Sequence, residues 1–209
     1  MKNSKKVCLL AIFAVFCAII LSCGSSTGGK AVKADAGPGT PTLATGEWYI
    51  FNDVESDKGS STVSIKSAEE TIDGKKVMVH HVTGNVTTKF KYGFAGWGLN
   101  ADEATTNLYK TAKKFSFWIL GDGQRYTIKF KTSNVTDYAY FEYSFNTEKG
   151  TPTFIEVPVK YFMQPSWGTP TIMKQSLVTG IEWQTHEVWR TDPNKNPFDI
   201  KMWDFTVYN

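Results

Sequence analysis

The chain has 209 residues, with 23 Lys+Arg, 20 Asp+Glu, 14 Phe, 9 Tyr, 7 Trp and 3 Cys, enough for one domain with a real core and too little for two catalytic domains. All three cysteines (Cys8, Cys17, Cys23) precede residue 24, so the remainder offers no disulfide, thiolate metal site or cysteine nucleophile. The formal charge of +3 comes from Lys2, Lys5 and Lys6; without them 20 basic residues face 20 acidic ones, and a neutral body with no Lys/Arg cluster argues against nucleic acid as a partner.

Residues 2–6 form a positive n-region, and residues 7–21 an apolar run too short to span a bilayer comfortably. The run ends Ile20-Leu21-Ser22-Cys23 and is followed by Gly24-Ser25-Ser26. This resembles a bacterial lipoprotein signal, with cleavage before Cys23 and acylation of its thiol and freed amine. Several acyl chains hold a protein on a membrane stably, so the resemblance implies a lipid-anchored protein of the bacterial cell envelope, at the outer membrane, the cell surface or the periplasmic side. Residues 24–45 are rich in Gly, Ser, Thr, Ala and Pro and lack aromatics, the composition of a flexible tether. The division is therefore a signal peptide at 1–22, a lipidated cysteine and tether at 23–45, and a folded domain at 46–209.

From Gly46 onward, 12 Phe, 9 Tyr and 7 Trp give a strand-rich composition. Short strands are predicted at 48–52, 61–66, 76–82, 86–91, 96–99, 115–120, 126–132, 138–145, 153–158, 180–186 and 198–208. Turn chemistry at Asp73-Gly74, Thr83-Gly84-Asn85, Gly121-Asp122-Gly123 and Lys149-Gly150 separates them. Residues 101–113 alone have helical composition and predict a short connector. Many short strands at this spacing predict an all-β sandwich or barrel.

Alternation assigns the faces. Residues 115–120 are almost continuously apolar, as in a strand covered on both sides. In 126–131, Tyr126, Ile128 and Phe130 face a core, while Thr127, Lys129 and Lys131 face water. Ile181 and Trp183 point inward, and Glu182, Gln184 and His186 outward. In 138–145, Ala139, Phe141, Tyr143 and Phe145 suit the core, which leaves Tyr138, Tyr140, Glu142 and Ser144 on the open face. Flat rings stack on the C–H face of sugars, and planar polar groups pair with hydroxyls. The candidate ligand-binding residues are thus Tyr138, Tyr140 and Glu142, with Arg125, Asp137 and Gln184 nearby. Trp189, in the polar stretch 187–197, is a further exposed-ring candidate. His80 and His81 are adjacent in a strand, point to opposite faces and cannot chelate one ion together. No Gly-x-Ser-x-Gly or His-Glu-x-x-His occurs.

Several stretches in order resemble the jelly-roll domains shared by family 11 carbohydrate-binding modules and the complex-I assembly-factor type. They are Gly93-Phe-Ala-Gly-Trp97-Gly98, Phe115-Ser-Phe-Trp-Ile-Leu-Gly121-Asp122-Gly123, Thr132-Ser-Asn-Val-Thr-Asp137-Tyr138-Ala-Tyr140, Thr153-Phe-Ile-Glu-Val157-Pro158, the Gln164-Pro165-Ser-Trp167-Gly168 loop, and the terminal Phe198-Asp-Ile-Lys-Met-Trp-Asp204 strand. Trp203 stands where the family carries the first of two aspartates. The resemblance implies a galactose-binding-like β-sandwich jelly roll that binds glycan on a concave sheet face without catalysis. It adds the signature positions Trp97 and Trp167 to the candidate ligand residues. No cofactor is required, but a structural calcium between the first and last strands would draw on Asn52, Asp53, Glu55 and Asp204. The assembly-factor branch implies the other expectation, an envelope protein that holds a protein partner on the same scaffold.

Overall fold

Large apolar side chains alternate with small or polar ones through most of the strands, and two sheets pack with the large ones between them. The computed structural model describes residues 31–32, 39–186 and 197–209. The strands run in chain order β1 (Ala31–Val32), β2 (Pro41–Leu43), β3 (Gly46–Asn52), β4 (Thr62–Ile72), β5 (Lys75–Asn85), β6 (Phe94–Ala101), β7 (Lys114–Leu120), β8 (Arg125–Thr132), β9 (Phe141–Asn146), β10 (Pro152–Pro158), β11 (Val178–His186) and β12 (Pro197–Tyr208). The first sheet has the order β1-β10-β7-β12-β5-β4, with β2 also pairing to β12; the second has the order β3-β6-β11-β8-β9. Pairing is antiparallel except for β1 on β10. The all-β sandwich expected from the sequence is the fold observed.

The core is aromatic. From the second sheet, Trp183 and Trp97 lie parallel, 6.4 Å apart at 5°, and both are fully buried. From the first sheet, Phe205 meets Trp183 edge-on at 4.8 Å and Phe117 meets it at 5.7 Å and 90°. Edge-to-face contacts of this kind add roughly 0.5–1.5 kcal/mol each beyond area burial. Outside the sandwich, Trp118 lies between Phe154 (5.1 Å) and Trp203 (6.1 Å, 6°) in one cross-strand row. That row covers the second side of β7, as its continuous apolar sequence predicts.

Three local readings are corrected. Residues 86–91 form a loop: Thr87 N donates to Ser61 Oγ, and the chain turns so closely that a Cβ on Gly93 would lie 1.9 Å from the Thr87 carbonyl oxygen. Thr83-Gly84-Asn85 is strand, because Gly84 leaves room for the Phe198 ring, 2.5 Å from where its Cβ would be. The β4–β5 hairpin is consequently longer than expected and turns at Asp73 and Gly74, both with positive φ, the pairing that two-residue hairpin turns require. Last, β1 and β2 lie inside the stretch read as tether, and Thr45 Oγ1 donates to Asp102 Oδ2. Backbone pairing holds β1 to β10 and the exposed β2 to β12.

The connector helix α2 (Glu103–Tyr109) follows Asp102, whose Oδ1 accepts from Thr105 N at 2.7 Å, a standard N-cap. A shorter helix, α1 (Asp53–Asp57), follows β3. No helix among the described residues is long and apolar enough to cross a membrane. The leader, Cys23 and Trp189 lie outside the described residues.

Candidate functional site

Outer-face residues of the second sheet fall into register across all five strands. One row reads Tyr49, Gly98, Glu182, Lys129, Glu142, and a bridge to Met163 continues it past β9. The next row reads Phe51, Gly96, Gln184, Thr127, Ser144.

The glycines decide what β3 can do. A Cβ on Gly98 would lie 2.5 Å from the Tyr49 ring, and one on Gly96 would lie 2.3 Å from the Phe51 ring. Without those atoms both rings fold down across β6, 6.2 Å apart at 37°. Phe51 leads on to Phe94 (6.3 Å), and Phe94 to His186 (6.3 Å). A string of rings therefore borders one side of the face. Tyr49, Phe51 and Phe94 were missed from sequence; the signal was the small-large-small pattern of Gly96-Trp97-Gly98 opposite the alternating rings of Tyr49 and Phe51.

The middle of the face is recessed. Lys129 is 9 % exposed, Glu182 7 %, Gln184 3 % and Thr127 0 %, although all four point away from the core. The expectation that β8 turns a half-exposed Thr/Lys/Lys face to water is corrected: neighbouring side chains enclose Thr127 and Lys129. Glu182 Oε1 accepts from Tyr49 OH at 2.5 Å and from Lys131 Nζ at 2.6 Å. Lys131 Nζ also lies 5.8 Å from the Tyr49 ring centre and 5.4 Å from that of Tyr140, so rings of opposite rims meet across one lysine. Burial, then the Glu182 charge, pushes the Tyr49 phenol well above its ordinary range. Burial lowers the Lys129 ammonium and raises the Glu142 carboxyl. It also lowers the His186 imidazole to about 3.

The second rim holds Tyr138 and Tyr140, which precede β9 rather than belonging to it. Tyr140 is half-buried; Tyr138 is 75 % exposed and has φ of +64°. A bulky side chain in the left-handed region is strained. The two rings meet edge-on at 85° and 6.3 Å, so they form a corner rather than one flat platform. Asp137 staples this rim: its carboxylate accepts from Ala139 N and, at 2.6 Å, from Thr169 N. The Thr169 bond, ahead of the Ala139 bond, keeps the carboxyl below the usual range. Thr169 and the neighbouring Gly168, which packs on Ala139, bring the Trp167 loop to the same rim, where Trp167 is 66 % exposed. Arg125 is exposed at the start of β8.

Of the residues singled out from sequence, Glu142 and Gln184 share this face, with Arg125 at the start of β8, and Tyr138, Tyr140, Asp137 and Trp167 lie at its rim. Trp97 does not. It is fully buried on the core side of β6, because the side chain between two outward glycines points inward; its place as a ligand contact is corrected.

The proposed calcium ligands do not gather. Asp53 is fully buried, and its carboxylate accepts from Ser61 N (2.9 Å), Ser61 Oγ (2.7 Å) and Phe94 N (3.3 Å). Asn52 caps α1 through Val54 N, Glu55 is exposed, and Asp204 sits in the left-handed region at the bulge of β12. No three His, Cys, Asp or Glu among the described residues are placed to hold an ion. Asp53 fastens the loop before β4 and the start of β6 to the end of β3. Asp53→Ala leaves three donors unmatched and is expected to cost about 3 kcal/mol, read as a lower urea midpoint with an unchanged slope; Asp53→Asn, which keeps an acceptor, loses less. A separate cavity of about 510 Å³ lies beside β3 and is lined by Ile50, Asn52, Val54, Glu55 and Thr62 among others; Asn52 is already committed to its cap.

The sequence model of the complex I intermediate-associated protein 30 (CIA30) family matches residues 40–199. Among curated proteins, none matches the chain. Among solved structures, the family 11 carbohydrate-binding module of the cellulosomal cellulase Lic26A-Cel5E of Clostridium thermocellum is similar, with a TM-score of 0.55, 16% identity, and coverage of 83% of this chain and 96% of that one. An exo-β-agarase (TM-score 0.46, 9% identity, 83% of this chain and 26% of that one) and a family 4 carbohydrate-binding module (TM-score 0.41, 14% identity, 81% and 94%) are less similar. The first likeness shows the fold, a two-sheet β-sandwich of the jelly-roll kind.

Proposed function

The chain belongs to the complex I intermediate-associated protein 30 (CIA30) family, and on this jelly-roll scaffold we propose a non-catalytic glycan-binding protein, anchored at a bacterial cell envelope by lipid on Cys23. One observation carries the reading. The outer face of the second sheet lays the Tyr49 and Phe51 rings flat over Gly98 and Gly96 beside a recessed polar floor. Ring faces that border polar groups suit the two sides of a pyranose, C–H and hydroxyl. The similar family 11 module is itself described as carbohydrate-binding, which supports the assignment.

The test is a glycan array probed with full-length protein in detergent, alongside Phe51→Ala and Tyr138→Ala. Binding to at least one glycan is expected, reduced about tenfold by Phe51→Ala, in line with the loss of one ring contact. An array blank at millimolar sugar would overturn the reading. Mass spectrometry of the N-terminal peptide tests the anchor, with a diacylglyceryl thioether expected on Cys23.

A second reading, an envelope protein that grips a protein partner, rests on the exposed Tyr138, Met163, Trp167 and Ile172 and on the association in the family's name. Large exposed apolar patches mark such surfaces. If it is the correct one, the array stays blank, and Trp167→Ala releases a partner that the parent protein retains.

A further inference from the structure

The floor of the recess holds polar groups that the fold leaves unused. In register order, Lys129 of β8 stands between Glu182 of β11 and Glu142 of β9, with Gln184 one row away. Glu182 already receives Tyr49 and Lys131. Lys129, more than nine-tenths buried, feels the charges of Glu142 and Glu182, and the half-buried Glu142 carboxylate those of Lys129 and Arg125, but neither forms a hydrogen bond with a side chain among the described residues. Gln184 Oε1 is buried and has no partner among the described residues. Buried polar groups are ordinarily satisfied, and those that are not call for an explanation.

Complementarity narrows what could satisfy all three. Lys129 only donates, whereas ionised Glu142 and Gln184 Oε1 only accept. A carboxylate or sulfate would answer Lys129, but it would set its charge against Glu142 and Glu182 and leave Gln184 Oε1 bare. A hydroxyl accepts and donates at once. Two adjacent hydroxyls would take the ammonium on their oxygens and give their hydrogens to Glu142 and Gln184.

Resting on the glycan reading above, we propose that Lys129, Glu142 and Gln184 are the specificity-determining groups of the recess, and that they take an uncharged sugar through a vicinal pair of hydroxyls and reject uronates and sulfated sugars.

The experiment is affinity electrophoresis of the full-length protein in detergent. One set of gels contains neutral polysaccharides (mixed-linkage β-glucan, xyloglucan, galactomannan); a second contains acidic ones (polygalacturonate, alginate, carrageenan). Retardation is expected in at least one neutral gel and in no acidic gel. Lys129→Met weakens the neutral interaction by about tenfold, one lost charged hydrogen bond. Glu142→Gln keeps an acceptor and holds most of the neutral affinity while admitting polygalacturonate. Tryptophan fluorescence reports that each variant is folded, and Glu142→Gln stands as the test should Lys129→Met fail to fold. Retardation by acidic chains above neutral ones, or parent-like binding by Lys129→Met, overturns the hydroxyl assignment but leaves the groove a glycan site. No retardation in either set overturns the glycan reading, and this inference with it.

Discussion

Trp183→Ala is expected to lower stability by about 3–5 kcal/mol, the usual cost of emptying a fully buried aromatic site. In a domain of this size that corresponds to a fall in Tm of about 10 °C. The ring is fully buried and makes contacts in two directions: it lies parallel to Trp97 and meets Phe117 and Phe205 edge-on from the opposite sheet. Relaxation cannot close the cavity cheaply, because β11 is held between β6 and β8 on both sides. Differential scanning calorimetry of parent and variant measures the effect. A fall of less than about 3 °C would mean that the two layers are not locked through this ring.

Gly98→Leu is expected to abolish ligand binding while leaving a folded domain. The atoms nearest a Cβ at this position are Cζ, OH and Cε1 of Tyr49, at 2.5–2.7 Å. They belong to the far end of a side chain that can swing away, so the sheet itself is spared. Once the ring swings, Tyr49 OH loses Glu182, Lys131 keeps it alone, and the added side chain fills the floor beside Glu182. The expected cost in stability is about 1–3 kcal/mol, against a loss of affinity of at least about a hundredfold by exclusion of the proposed glycan from the recess, roughly 2.7 kcal/mol. Titration of the best array ligand, with calorimetric Tm beside it, separates the two. Parent-like affinity in a folded Gly98→Leu protein would place the ligand elsewhere. Gly96→Leu is the harsher change, because there the Cβ would also lie 2.6 Å from the Trp183 carbonyl oxygen, which cannot move aside.

The sequence made the layers legible because period-two alternation survives wherever one face is packed. Ile181 and Trp183 point in, and Glu182, Gln184 and His186 out, as β11 reads. Alternation says nothing of how deep an outward face lies, and so Lys129 read as solvated when it is nearly buried. It also misplaced Tyr138: the run from Tyr138 to Phe145 alternates like a strand throughout, yet pairing with β8 begins only at Phe141, and φ of +64° at Tyr138 turns the chain away beforehand. Trp97 entered the ligand candidates through the family resemblance alone, where its two glycine neighbours mark it as the inward member of the triplet. Asp53 entered as a calcium ligand only through the jelly-roll resemblance; its donors, Ser61 and Phe94, lie 8 and 41 residues away, a convergence no local pattern carries.

The placement of β12 has a consequence for how this chain is made. It lies between β7 and β5 in the first sheet, although it is the twelfth strand in sequence. Until residues 197–208 have left a ribosome, β7 and β5 have nothing to join them, and the sandwich stays open down its middle. The first sheet therefore closes only once those residues are available, and the joining of distant segments sets the pace of folding.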